Sequence, residues 1–138
     1  MATENAKVFI DTNILLYAYS SSEIAKKKKV LLLLENEMIS LSTQVINEFI
    51  WIMSRKFNVG MDSLKLITSN LFELYEVSQL NESGILKAID ISTQLQFSYW
   101  DSLMVSSALA ANCNVLYTED LQHGQVIGDM LKVVNPFV

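Results

Sequence analysis

Lys7-Val8-Phe9-Ile10-Asp11-Thr12-Asn13 is a short apolar run stopped by a carboxylate. Three large apolar residues in a row, with no polar alternation, suit a strand buried on both faces, the kind found in a parallel sheet covered by helices. Helical spacing follows at Ile14, Leu15 and Tyr19 and resumes over residues 23–35, where Val30 to Leu34 reads as a buried turn. Met38-Ile39-Ser40-Leu41 is a second short strand. Ser42 and Thr43 are good N-caps for a helix running toward Phe57, on which Ile46, Phe49, Ile50, Met53 and Phe57 share one face and Gln44, Glu48 and Arg55 another. Asn58-Val59-Gly60 breaks that pattern, and Met61-Asp62-Ser63 opens a further helix through Leu64, Ile67, Leu71 and Leu74. A weak strand lies near residues 75–77, then helices at 82–96 and 99–111. The second of these is slim, with Ser106, Ser107, Ala108, Ala110 and Ala111 able to lie close against a sheet. Asn114-Val115-Leu116-Tyr117 is the clearest late strand, and residues 131–134, stopped near Pro136, form the last. Strands alternating with helices predict a single α/β domain over residues 1–138, a three-layer α/β/α sandwich on a central parallel sheet of about four to five strands.

The bulk composition narrows the function classes. The chain has 138 residues, half of them hydrophobic, which suffices for one core. Cys113 is the lone cysteine and has no internal disulfide partner; a reducing compartment, the cytoplasm, is expected. The polar start at residues 1–6 and the lack of a long apolar run predict neither a signal peptide nor a membrane span. A net charge of −5 argues against gripping nucleic acid by bulk electrostatics. Divalent cations gathered by carboxylates reverse that argument locally. The basic residues are clustered, at Lys26-Lys27-Lys28-Lys29 and Arg55-Lys56. Both are candidates for phosphate contacts, although a solvated helix face explains four consecutive lysines more simply.

Ligands in open α/β sheets sit beyond the carboxyl ends of the strands, and two strands here end in acids. Asp11 follows the first strand directly, and Asp120 follows Tyr117-Thr118-Glu119 at the end of the late one. Each has a plainer reading. Asp11 or Asn13 caps the next helix, and Asp120 is a solvated loop acid. Asp101 is favoured near a helix start by the dipole alone, and Glu48 is by default a surface acid. Taken together, two strand ends and two helices are able to bring the four to one edge of the sheet. An all-oxygen cluster selects Mg²⁺ or Mn²⁺ over zinc, and the only other zinc-type donors are His123 and Cys113. No phosphate-binding glycine loop is present, and no serine elbow accompanies His123.

The series Asp11-Thr12-Asn13, Asn47-Glu48-Phe49, Trp100-Asp101 and Thr118-Glu119-Asp120 resembles the PIN-domain nucleases, and most closely the small VapC-type toxins of bacterial toxin–antitoxin pairs. The segment from Leu116 to Gly124 is especially like the last motif of that branch. The resemblance implies a metal-dependent endoribonuclease, a homodimer, and a small antitoxin protein that blocks the site. By position, Asp11, Glu48, Asp101 and Asp120 match the family's metal-binding acids, while Asn13 and Thr118 match supporting polar positions. Glu119 competes with Asp120 for the fourth place; Asp120 is preferred, because the family sets its acid two residues after the threonine. His123 is expected to pack the loop or touch RNA. Tyr17, Tyr19, Trp51 and Trp100 are candidates for antitoxin contacts, with core packing the simpler expectation for most of them.

Three other classes fit less well. A receiver-like phosphoacceptor domain needs an acidic pair after the first strand and a lysine after a late one, and no lysine follows Tyr117 before Lys132. A dehalogenase-type phosphatase shows Asp-x-Asp where this chain has Asn13. A catalytically silent PIN-like scaffold that binds RNA or protein is the alternative that four intact acids disfavour.

Overall fold

The computed structural model describes residues 6–138, so of the polar start at residues 1–6 only the last falls within it. The elements run β1 (Lys7–Ile10), α1 (Thr12–Tyr17), α2 (Ile24–Asn36), β2 (Met38–Ser42), α3 (Thr43–Arg55), α4 (Met61–Leu74), β3 (Glu76–Ser78), α5 (Glu82–Leu95), α6 (Tyr99–Ala110), β4 (Val115–Tyr117), β5 (Val126–Ile127) and β6 (Leu131–Val134). Helices flank a central, mostly parallel sheet in three layers, as the alternating pattern predicts. The strand order is β3-β2-β1-β4-β6-β5. Five strands are parallel, and β5 is a short antiparallel addition on β6, a sixth strand beyond the four to five expected.

That order locates the site. From β1 the chain builds outward through β2 and β3, then returns to place β4 on the other side of β1. The direction of growth reverses between β1 and β4, which leaves a crevice at their carboxyl ends. Ile10 is in register with Tyr117, and the Asp11 amide donates to the Tyr117 carbonyl at 3.1 Å. The residues after each strand, Asp11 and Thr118, therefore start side by side.

The central strands are apolar because both their faces are covered: Val8, Phe9, Ile10 and Leu116 are buried. Ser42 caps α3 by accepting from the Val45 amide at 3.3 Å, and Ser98 caps α6 by accepting from the Asp101 amide. Of the small residues read on this helix, Ser106, Ser107, Ala108 and Ala111 are buried, while Ala110 at its end is exposed. Asn58 takes a left-handed φ of 55°, which ends the run of α3 where the Asn58-Val59-Gly60 break is read.

Three expectations need correction. Only Val30 of the apolar turn in α2 is buried; Leu31 and Leu32 are exposed, because a five-residue apolar run wraps past the single stripe that one helix face covers. Tyr19 lies beyond the end of α1 and Phe57 beyond α3, and both are exposed. Trp51 and Trp100 are not core residues; each is more than half exposed.

Candidate active site

Asp11, Glu48, Asp101 and Asp120 all line one pocket of about 130 Å³ at the β1/β4 crevice, with Thr12, Asn13, Gln44, Ile52 and Trp100 among the other walls. That is room for several water molecules. Asp11 comes from the end of β1 and caps α1, accepting from the Thr12 amide at 2.6 Å. Its other oxygen accepts from the Thr118 hydroxyl at 2.8 Å, and that hydroxyl in turn accepts from the Asp120 amide at 3.0 Å. Thr118 thus ties the acid after β1 to the loop after β4. Glu48 lies on α3, where its carboxylate accepts from the Thr12 hydroxyl at 2.7 Å. The polar stripe of α3 that reads as solvated is the pocket wall at Gln44 and Glu48, while Arg55, further along, lies over the Trp51 ring at 4.6 Å.

Glu119 and Asp120 part company. Glu119 accepts from the Tyr17 hydroxyl and from Lys26 Nζ, both at 2.7 Å, and does not line the pocket. Burial would raise its pKa, but the Lys26 ammonium and the Tyr17 hydroxyl outweigh that and hold it below the ordinary value. The same ammonium lies over the rings of Tyr17 and Phe137, at 4.7 and 5.0 Å from their centroids. One lysine of the run is therefore engaged by the fold at its surface, while Lys28 and Lys29 are exposed. Asn13 is an exposed residue at the pocket rim. His123 accepts from the Asn135 amide at 3.0 Å, which is loop packing.

Asp11 is 8 % exposed, and burial raises its pKa from 3.8 to about 7, with the neighbouring Asp120 carboxylate adding to the rise and the Thr118 and Thr12 donors opposing it. Burial and the same Asp120 charge also raise Asp101. A pocket that disfavours its own charges is one that a cation relieves. Among the described residues no three acids stand close enough, as their side chains lie, to make a ready ligand group. Each engaged oxygen of Asp11 and Glu48 keeps a second lone pair for a cation, and the acids have only to draw closer around it. The all-oxygen donor set suits a hard divalent ion.

The raised pKa has a stability consequence. Between about pH 4 and 7 the folded protein keeps a proton on Asp11 that the unfolded chain releases, so this group's stabilisation is lost as pH rises through that window and then levels off. Thermal melts in EDTA should show Tm roughly 5 °C or more lower at pH 8 than at pH 5.5. Mg²⁺ or Mn²⁺ added at pH 8 should recover much of the difference. A Tm indifferent to both pH and cation would remove the case for a strained carboxylate pocket.

Sequence reasoning singled out the four acids, Asn13 and Thr118 but gave no role to Thr12, Gln44 or Ser98. Thr12 was visible inside Asp11-Thr12-Asn13; that its hydroxyl reaches Glu48 depends on how α1 meets α3, 36 residues away.

A family model described as PIN domain matches residues 8–127. No curated protein sequence matches the chain. Among solved structures, a toxin–antitoxin complex from Klebsiella pneumoniae is similar at a TM-score of 0.69 and 15 % identity, over 94 % of this chain and 97 % of the other. The sarcin-ricin-loop-cleaving toxin VapC20 of Mycobacterium tuberculosis is similar at 0.68 and 12 %, over 82 % and 89 %. VapBC2 of Rickettsia felis, solved bound to a fragment of promoter DNA, gives 0.63 and 20 %, over 94 % and 99 %. At these identities the likeness is one of fold.

Proposed function

The chain belongs to the PIN-domain family, and on that premise we propose that it is a Mg²⁺- or Mn²⁺-dependent endoribonuclease, the toxin of a toxin–antitoxin pair. The observation that carries the reading is the convergence of Asp11, Glu48, Asp101 and Asp120, from four separate elements or loops, on one pocket at the strand-order reversal. Asp11 would be the central ligand of the ion, Asp101 and Asp120 would hold it directly or through water, and Glu48 would position ion or water. When bound, the ion supplies an activated water and a counter-charge to the phosphate. The chain's own contribution is orientation. Thr118 and the Thr12 amide fix both oxygens of Asp11, the Thr12 hydroxyl steadies Glu48, and the Ser98 cap sets Asp101 at the start of α6.

The phosphate backbone has a path to follow. A second cleft of about 450 Å³ shares Asn13 and Ile52 with the acid pocket and is lined by Lys56, a cation suited to a neighbouring phosphate, as well as by the Glu23 carboxylate. An antitoxin partner and a homodimer belong to the same proposal. Solved relatives in fold include toxin–antitoxin complexes, and Trp51, Phe57, Met61 and Phe72 leave apolar surface on and beside α3 and α4. No helix of the described residues is long and apolar enough to cross a membrane; action in the cytoplasm is part of the proposal, and the buried free thiol of Cys113 suits it.

The test is incubation of the purified protein, freed of any antitoxin, with total cellular RNA in Mg²⁺, Mn²⁺ or EDTA. Discrete products that require the metal are expected, and sequencing their ends names the substrate. The alternative of a silent scaffold draws on the acids' lying apart. Absence of cleavage by folded, metal-loaded protein would favour it.

A further inference from the structure

Trp100 is a large apolar side chain in an unusual place. It lines the acid pocket, precedes Asp101 directly, and is 64 % exposed. Tyr99 meets the indole at 65° with ring centroids 5.6 Å apart, which braces it while leaving most of its surface open. On the same wall Gln44 donates from Nε2 to the Trp100 carbonyl at 3.4 Å, and its Oε1 is buried without a hydrogen-bond partner, so a base reaches that acceptor once the Gln44 side chain turns outward. An exposed flat ring and an unsatisfied acceptor on one pocket wall are both features that a ligand would complete.

We propose that Trp100 and Gln44 form a nucleobase subsite, in which one unpaired base of the RNA stacks on the indole and offers an N–H to the Gln44 carbonyl. The proposal rests on the nuclease reading and adds to it which part of the substrate this wall holds. Trp100 and the acids line one pocket, so a phosphate held at the cation leaves its neighbouring base within reach of the indole, and the flat, uncharged base is the part of a nucleotide that an apolar ring receives. Stacking is open to every base. The carboxamide is more selective. Its free acceptor favours the exocyclic amino group of adenine or cytosine over uracil, whose N3–H is flanked by two carbonyl oxygens. A base in a duplex is already stacked on both faces and does not fit the indole, so the subsite takes single-stranded or looped RNA.

The experiment uses the full chain carrying Trp51→Phe, so that Trp100 is the sole tryptophan, and Asp11→Asn, so that binding is read without turnover. Short single-stranded oligoribonucleotides of A, C and U and a blunt RNA duplex are titrated while indole fluorescence is followed. Labelled RNA reports the affinity of variants that lack the indole. Quenching by the A and C strands is expected, with U weaker by roughly 2- to 10-fold and the duplex without effect. Trp100→Ala should weaken binding roughly 5- to 100-fold and Trp100→Phe much less, with Tm unchanged because the ring is exposed. Gln44→Met should erase the preference over U. RNA that binds without altering Trp100 fluorescence, and binds Trp100→Ala as tightly as the parent, would overturn the subsite while leaving the nuclease reading intact. RNA that neither binds nor is cut by the unmodified chain would overturn both.

Discussion

Asp11→Asn is expected to abolish metal-dependent RNA cleavage and, in EDTA at pH 8, to melt at a higher temperature than the unmodified protein. The two effects have one origin. The carboxylate is buried at the end of β1 beside Asp120, and its pKa of about 7 records how unwelcome the charge is without a cation. Asparagine keeps the size and the N-cap of α1, since it caps about as well as aspartate, and its carboxamide still meets the Thr118 hydroxyl. It removes the charge and reverses one hydrogen bond, the amide Nδ2 donating to the Thr118 hydroxyl that donates to the carboxylate. Stability on the order of a few kcal/mol should be gained at pH 8, shrinking toward pH 5 as Asp11 itself becomes protonated. Loss of a ligand should cost more than the ~10–100-fold typical of removing a group behind one, so cleavage should fall by at least about 100-fold. The Tm rise on adding Mg²⁺ should shrink with it. A variant that cuts RNA normally would remove Asp11 from the centre of the site. One that melts lower at every pH would show instead that the carboxylate supports the fold.

A second contrast separates two neighbours. Asp120→Asn should reduce cleavage by about 100-fold, whereas Glu119→Gln should keep it within about threefold. Glu119 is engaged by Lys26 and Tyr17, on the side of α1 and α2, while Asp120 lines the pocket and raises Asp11. Loss of the Glu119 ion pair is a partly solvated event and should lower Tm only slightly. The opposite ranking would make Glu119 the fourth acid and would require the loop after β4 to turn over on binding metal or substrate. Both variants are read in one assay, with Mg²⁺ affinity from the Tm shift as the second readout.

The sequence made this architecture legible wherever a local rule acted alone. Val8-Phe9-Ile10 suited a doubly covered strand, Ser42 suited a helix cap, and the serines and alanines of α6 had a thickness before they had a position. Failure came where the deciding partner lies far along the chain. Glu119 and Asp120 are adjacent and chemically alike; the spacing after Thr118 favoured Asp120, but the partner that draws Glu119 aside, Lys26, lies 93 residues away from it. Glu48 sits on a stripe whose spacing says solvent, and only the packing of α1 on α3 makes that stripe a wall. Trp100 is a large apolar residue for which core packing was the simpler expectation beside a partner contact, and it is exposed. β5 escaped for another reason: two residues, Val126 and Ile127, carry no periodicity, and the strand exists because Gly128 and Asp129, at φ of 62° and 57°, turn the chain back onto β6.

That late addition shapes how the molecule meets its neighbours. A six-stranded sheet has two open borders, and here they are β3, three residues long, and β5, two. Borders this short offer almost no free backbone for a foreign strand to zip onto, which is how folded proteins avoid edge-to-edge aggregation. The same economy constrains recruitment. A second chain that binds this one gains little by lengthening the sheet, so what it has to grip is side chains on helices and loops.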